Sequence, residues 1–215
     1  MMLRKVLVCF YFLLLIGSLV SNAQDTELWT SAEVRYKVEK NLRLDFSEGV
    51  RFNQNIGAYK SNLLELGARY KISKIIAIRA AYRYTIATSD RSNGQRISVS
   101  ANIKKKWNRI IFGLRSKYQY DFEFSLNNGS TLTRNKLSAR YDPRKSPWSH
   151  SVFAEFFTPF SDISNLEQLR LGAAVNYDFN KRTSLGLKYF YGAKERREGR
   201  ETRNVIALGL DWNLN

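Results

Sequence analysis

Apolar and polar side chains alternate one by one along most of this chain, and that restricts its fold more than any other feature. Leu42, Leu44, Phe46, Val50 and Phe52 are interleaved with Arg43, Asp45, Ser47 and Arg51. Leu64, Leu66, Ala68 and Tyr70 are interleaved with Glu65, Gly67, Arg69 and Lys71, and residues 76–86 repeat the pattern with Arg79 and Arg83. It recurs at 97–103, 110–122, 137–141, 169–177, 185–191 and 206–214. A period of two places one class of side chain on each face of an extended strand. No sustained helical period follows residue 23, so the expected class is all-β, with eleven strand segments beginning at 28–38.

The punctuation between segments is also regular. Short basic turns are expected at 39–41, 73–74, 104–106, 143–145 and 180–182. Longer polar loops are expected at 54–61, 87–95, 123–131, 158–165 and 193–202. Tyr36, Tyr70, Ile103, Tyr141, Tyr177 and Trp212 recur just before the short turns, at a hairpin period of roughly 35 residues. Pro143, Pro147 and Pro159 fall at turns or strand ends, where a missing N–H costs least. The arrangement is an up-and-down antiparallel meander.

The first 23 residues read differently. Arg4 and Lys5 precede an apolar run at 6–20, and Ser21 and Ala23 supply small residues before a cut. This is the pattern of a secretory signal peptide cleaved near Ala23. A permanent anchor is the alternative, but the run is short of the roughly 20 residues that a helical span requires. Residues 24–215 then form the mature domain, which lacks the chain's one cysteine, Cys9. A disulfide framework is excluded, and with one histidine no zinc site or other cofactor is expected. The net charge of +16 would suit nucleic acid, but export argues against that partner.

A soluble barrel points its apolar face inward, whereas a transmembrane barrel points it at lipid and keeps a polar lumen. Segments of about ten residues match a tilted strand crossing a bilayer. Outward-parity aromatics gather at both ends of the segments, as two membrane interfaces would select. The expected fold is therefore an up-and-down antiparallel transmembrane β-barrel of 10–12 strands. Eleven is odd, and bacterial barrels have even counts. Either 28–38 is not a full wall strand, giving ten, or one strand is hidden, giving twelve.

Together, the leader, Trp29, the stretch Phe46-Ser47-Glu48-Gly49-Val50-Arg51 and the Tyr-ended hairpins resemble the outer-membrane barrels grouped as domain-of-unknown-function family 2490. The resemblance implies a Gram-negative outer-membrane barrel and supplies no activity and no catalytic residues.

Polar-parity residues should line the lumen. The acids there are Glu33, Asp45, Glu65, Asp121 and Glu155. The bases are Arg35, Lys37, Arg43, Arg51, Arg69, Lys71, Arg79, Arg83, Arg96, Lys104, Arg115, Lys117, Arg134, Lys136, Arg140, Arg170 and Lys188. Such a lining either forms a hydrated ion-pair network that fills the barrel or favours passage of small anions. Glu48 breaks the parity, and Gly49 beside it suggests a bulge that turns it inward toward Arg51 or Arg69.

A narrow anion-preferring channel is the leading reading, with a structural or surface-binding barrel as the alternative. A lipid-modifying enzyme is remote: His150 is the only candidate base, and its neighbours Ser149 and Ser151 point to the other face. Outer-membrane lipid, lipopolysaccharide and the outer-membrane assembly machinery are the expected partners. The charged segment 194–201 and the lysines at 104–106 are candidate headgroup contacts.

Overall fold

The computed structural model describes residues 24–88, 93–123, 129–196 and 199–215. The leader and its cleavage point lie outside these residues. Eleven strands are present: β1 (Asp25–Lys37), β2 (Leu42–Asn53), β3 (Ala58–Lys71), β4 (Ile76–Ala87), β5 (Gly94–Trp107), β6 (Ile110–Glu123), β7 (Ser130–Tyr141), β8 (Trp148–Pro159), β9 (Gln168–Asp178), β10 (Thr183–Arg196) and β11 (Gly199–Asn213). Each pairs antiparallel with the next, and β1 closes the sheet against β11.

The strand count is thus eleven, neither ten nor twelve. The segment at 28–38 is a full wall strand that begins earlier, at Asp25, and no further strand occurs among the described residues. With an odd number, the first and last strands run in the same direction, so the seam between them is parallel. It pairs Asp25 with Arg203 at one end and Arg35 with Asn213 at the other. A parallel ladder is slightly weaker per residue but leaves no open edge.

Three connections differ from the sequence-based expectation, and in the first, expected as a loop at 54–61, only 54–57 turn before β3 begins at Ala58. Residues 104–106 belong to β5, and the chain reverses at Asn108-Arg109, where Asn108 takes a φ of 54°. Asparagine tolerates that left-handed geometry, whereas the lysines mark a strand end that leaves the membrane. The segment 193–202 is mostly hairpin rather than loop, with Lys194 opposite Glu201 and Glu195 opposite Arg200. Opposite charges facing each other across an antiparallel pair prolong it. Arg197 and Glu198, part of the proposed headgroup contact, lie outside the described residues.

The faces are inverted relative to a soluble barrel. Glu27, Asp45, Glu65, Gln119 and Glu155 are buried inside, whereas Leu66, Val99 and Leu137 are more than half exposed on the outer wall. Outward aromatics collect at both rims. Tyr36, Tyr70, Tyr141, Trp148 and Trp212 sit at the short-turn end, and Tyr84, Tyr120 and Tyr191 near the other. Trp148 packs on Tyr177 with ring centroids 4.6 Å apart. This surface suits a hydrocarbon band between two interfaces. Replacing the outward Leu66 with Arg is expected to cost about 2–4 kcal/mol in equilibrium unfolding from lipid vesicles. An unchanged stability would mean that this face does not meet lipid.

Candidate functional site: the charged lumen

Alternation along each strand carries charged side chains inward, and neighbouring strands bring opposite charges together. Glu155 on β8 is the hub on one wall. It pairs with Arg115 of β6, with Arg134 of β7 at 3.0 Å and with Arg170 of β9 at 3.9 Å. On the opposite wall Arg79 of β4 pairs with Asp45 of β2 and lies 2.9 Å from Glu65 of β3, which also binds Arg83 at 2.6 Å. Gly67 makes this packing feasible, because a Cβ there would collide with both Arg79 and Asp45. Arg96 pairs with Asp121. Arg35 bridges Glu33 and Asp211, the latter at 3.0 Å, across the parallel seam.

Several other bases expected in the lumen have no carboxylate partner among the described residues, among them Arg43, Arg51, Arg69, Lys117 and Lys188. Arg43 stands opposite Arg69, which in turn stands opposite Arg79, so three guanidiniums share one row. Lys117 is buried. Arg140 is at the short-turn rim, 3.8 Å from Asp142.

Glu48 does not turn inward. The β1–β2 and β2–β3 registers run without interruption through Gly49, so Glu48 stays on the lipid-facing parity. There it accepts a 3.1 Å hydrogen bond from Asn62 Nδ2. The register shift lies further on, between Arg51 and Phe52, and the extra residue it leaves on β3 is Lys60. A bulge re-aims a side chain, and Lys60 reaches Glu27 at 2.6 Å. Glu27 also accepts from Arg203 at 3.0 Å and from Trp29 Nε1 at 2.7 Å. This fifth cluster, like Asp211, is not among the lumen acids and bases that the sequence pattern singles out. Its parts come from three strand beginnings distant in the chain.

Aromatic side chains inside the lumen were also missed. Trp29, Phe153, Phe157 and Phe190 point inward, with Trp29 edge-on to Phe190 at 5.3 Å and Phe153 at 6.2 Å from Phe190. Gly172 leaves room for them, because a Cβ there would lie 2.8 Å from the Phe153 ring. Guanidiniums lie over these rings: Arg51 on Trp29 at 3.9 Å, and Arg134 and Arg170 on Phe157, each at 4.5 Å. Such contacts orient a cation without neutralising it. The signal was present in the alternation, since Trp29 shares parity with Glu27, Phe153 and Phe157 with Glu155, and Phe190 with Lys188.

The lumen holds a chamber of about 670 Å³, lined by Trp29, Arg51, Arg83, Arg96, Arg134, Phe157 and Arg170 among others. A smaller cavity of about 120 Å³ lies toward the short turns, lined by Arg35, Arg43, Arg69 and Lys71 among others. The two share no lining residue. Asp45 and Arg79 line neither, and Asp45 stands on β2 between Arg43 of the small cavity and Ser47 of the large one. Their ion pair thus stands on the β2–β4 wall between the levels of the two cavities. His150 is exposed on the outer wall, whereas Ser149 is buried inside, so the two cannot act on one substrate group.

A closed, mostly antiparallel sheet with an apolar wall and a charged interior defines a transmembrane β-barrel of the outer-membrane type. The chain belongs to the family described as protein of unknown function DUF2490, whose model matches residues 26–203. Among solved structures it resembles one titled KdgM porin. That match has 16% sequence identity, covers 85% of this chain and 90% of the other, and gives a TM-score of 0.51. It also resembles a NanC porin structure, with 11% identity, 88% and 99% coverage and a TM-score of 0.56. At these identities the likeness concerns the fold. No curated protein sequence matches the chain.

Removing the hub carboxylate should expose how far the walls depend on pairing. Glu155→Gln leaves Arg115, Arg134 and Arg170 facing one another, and a cost of about 3 kcal/mol is expected. It should appear as an earlier loss of the heat-modifiable folded band on electrophoresis. An unchanged transition would show that lumen water already screens the cluster.

Proposed function

We propose that the protein is a Gram-negative outer-membrane channel that passes or holds small anions. The carrying observation is the set of inward cations without carboxylate partners, above all Arg51 and Lys188 in the large chamber and Arg43 and Arg69 in the small one. Each acid of the clusters described above is already paired, so the surplus is positive at both levels of the lumen. A confined ring of one charge raises the local concentration of the opposite ion. That the two resembling structures carry the name porin is in keeping with a channel. The cations act as electrostatic lining, and no chemical step on a solute is assigned to them.

The separation of the two cavities, with the Asp45–Arg79 pair between their levels, favours a second reading, a barrel that is closed at rest and opens when this pair is broken. The two readings separate in planar bilayers. The channel reading expects conductance with anion preference, and neutralising Arg51 and Arg170 to Gln should lower the anion-to-cation permeability ratio. A double Asp45→Ala, Arg79→Ala variant should raise conductance several-fold if this pair limits flow. Cation selectivity, or silence of both the native barrel and the double variant, would overturn the proposal.

A further inference from the structure

Glu48 borders the large chamber, yet its side chain is on the outward parity, where the lumen does not explain it. It sits near the middle of β2, where every other outward position (Leu42, Leu44, Phe46, Val50 and Phe52) is apolar or aromatic. Its side chain is exposed. The unbroken register around it rules out an inward turn. One amide hydrogen bond, from Asn62, leaves the second carboxylate oxygen without a partner in a band that should face hydrocarbon. A carboxylate there is costly. Mid-strand depth puts it away from the headgroups of both leaflets. A protein surface bearing donors would satisfy it where hydrocarbon cannot.

We infer that the outer face of β1–β3 around Glu48 is the contact between two copies of this chain. The patch is self-complementary, as a two-fold interface requires. Thr30, Val50 and Asn62 form one cross-strand row, and Ala32, Glu48 and Leu64 the next. The first row offers donors in the Asn62 amide and the Thr30 hydroxyl, and the second offers the carboxylate as acceptor. Two barrels inserted with the same orientation are related by an axis along the membrane normal. That axis keeps equal depths together, and on strands tilted by roughly 35–45° one donor of the neighbouring row comes near the depth of Glu48 in the other copy. Ala32, exposed directly opposite Glu48, is small enough for two walls to approach closely.

The inference is independent of the anion reading and is tested without any solute. Residues 24–215 hold no cysteine, so Ala32→Cys introduces a single thiol beside the patch. Oxidation of this variant in native outer membranes should give a disulfide-linked homodimer. Ala139→Cys, on the outward parity of β7, should not. Native mass spectrometry of the purified barrel should show dimer. Glu48→Leu should lower the dimer fraction at least tenfold, while Glu48→Gln, which keeps a hydrogen-bonding group, should lower it less. Leucine suits a lipid-facing position, so the folded band of Glu48→Leu on unheated gels verifies that the barrel itself is intact. A monomer throughout with no Ala32→Cys product, equal cross-linking at position 139, or capture of a different protein at position 32 would each overturn the inference.

Discussion

Within a bilayer no water is available to satisfy a free N–H or C=O, so a sheet can cross only if it closes on itself. Everything else in this molecule is arranged around that requirement. Eleven strands close because β1 accepts β11 in parallel along eleven paired residues. The seam is reinforced inside by Arg35, which lies on β1 and holds Asp211 of β11 at 3.0 Å. It is reinforced at the other end by Glu27 of β1, which holds Arg203 of β11 at 3.0 Å. The weaker ladder thus has an ion pair near each end.

Closure then creates an interior that must be filled or left wet. Long cationic side chains do most of the filling, and three kinds of contact govern where they stand. Carboxylates hold Arg79, Arg83, Arg115 and Arg134. Aromatic faces hold Arg51 and Arg170. Glycines provide space at Gly67 and Gly172, where a Cβ would displace an ion pair in one case and an aromatic cluster in the other. The outcome is a chamber whose net charge is positive although its acids are paired.

Much of this was legible before any coordinates. The parity that separates Leu66 from Glu65 also assigns lipid and lumen, because a strand has only two faces. Local cues in the chain were ambiguous at three places. The triplet at 104–106 looked like a turn because it is charged, yet charge at a strand end equally marks departure from the membrane. Gly49 looked like a bulge because glycine permits one, but the bulge formed at Lys60, where a buried carboxylate rewards the extra residue. Trp29, Phe153, Phe157 and Phe190 do not differ in residue type from the aromatics of the outer belts, and only their parity assigns them to the lumen.

The chain's own pattern therefore decided that it would be a strand meander with an apolar wall and a basic lining. Those properties follow from side chains i and i+2 sharing a face and need no knowledge of neighbours. The number of strands, the parallel seam, the choice of Glu155 as a shared partner for three arginines and the outward position of Glu48 belong to the closed sheet. They depend on register between strands and on which strands meet when the ends join, and residues as far apart as Glu27 and Arg203 come into contact only then.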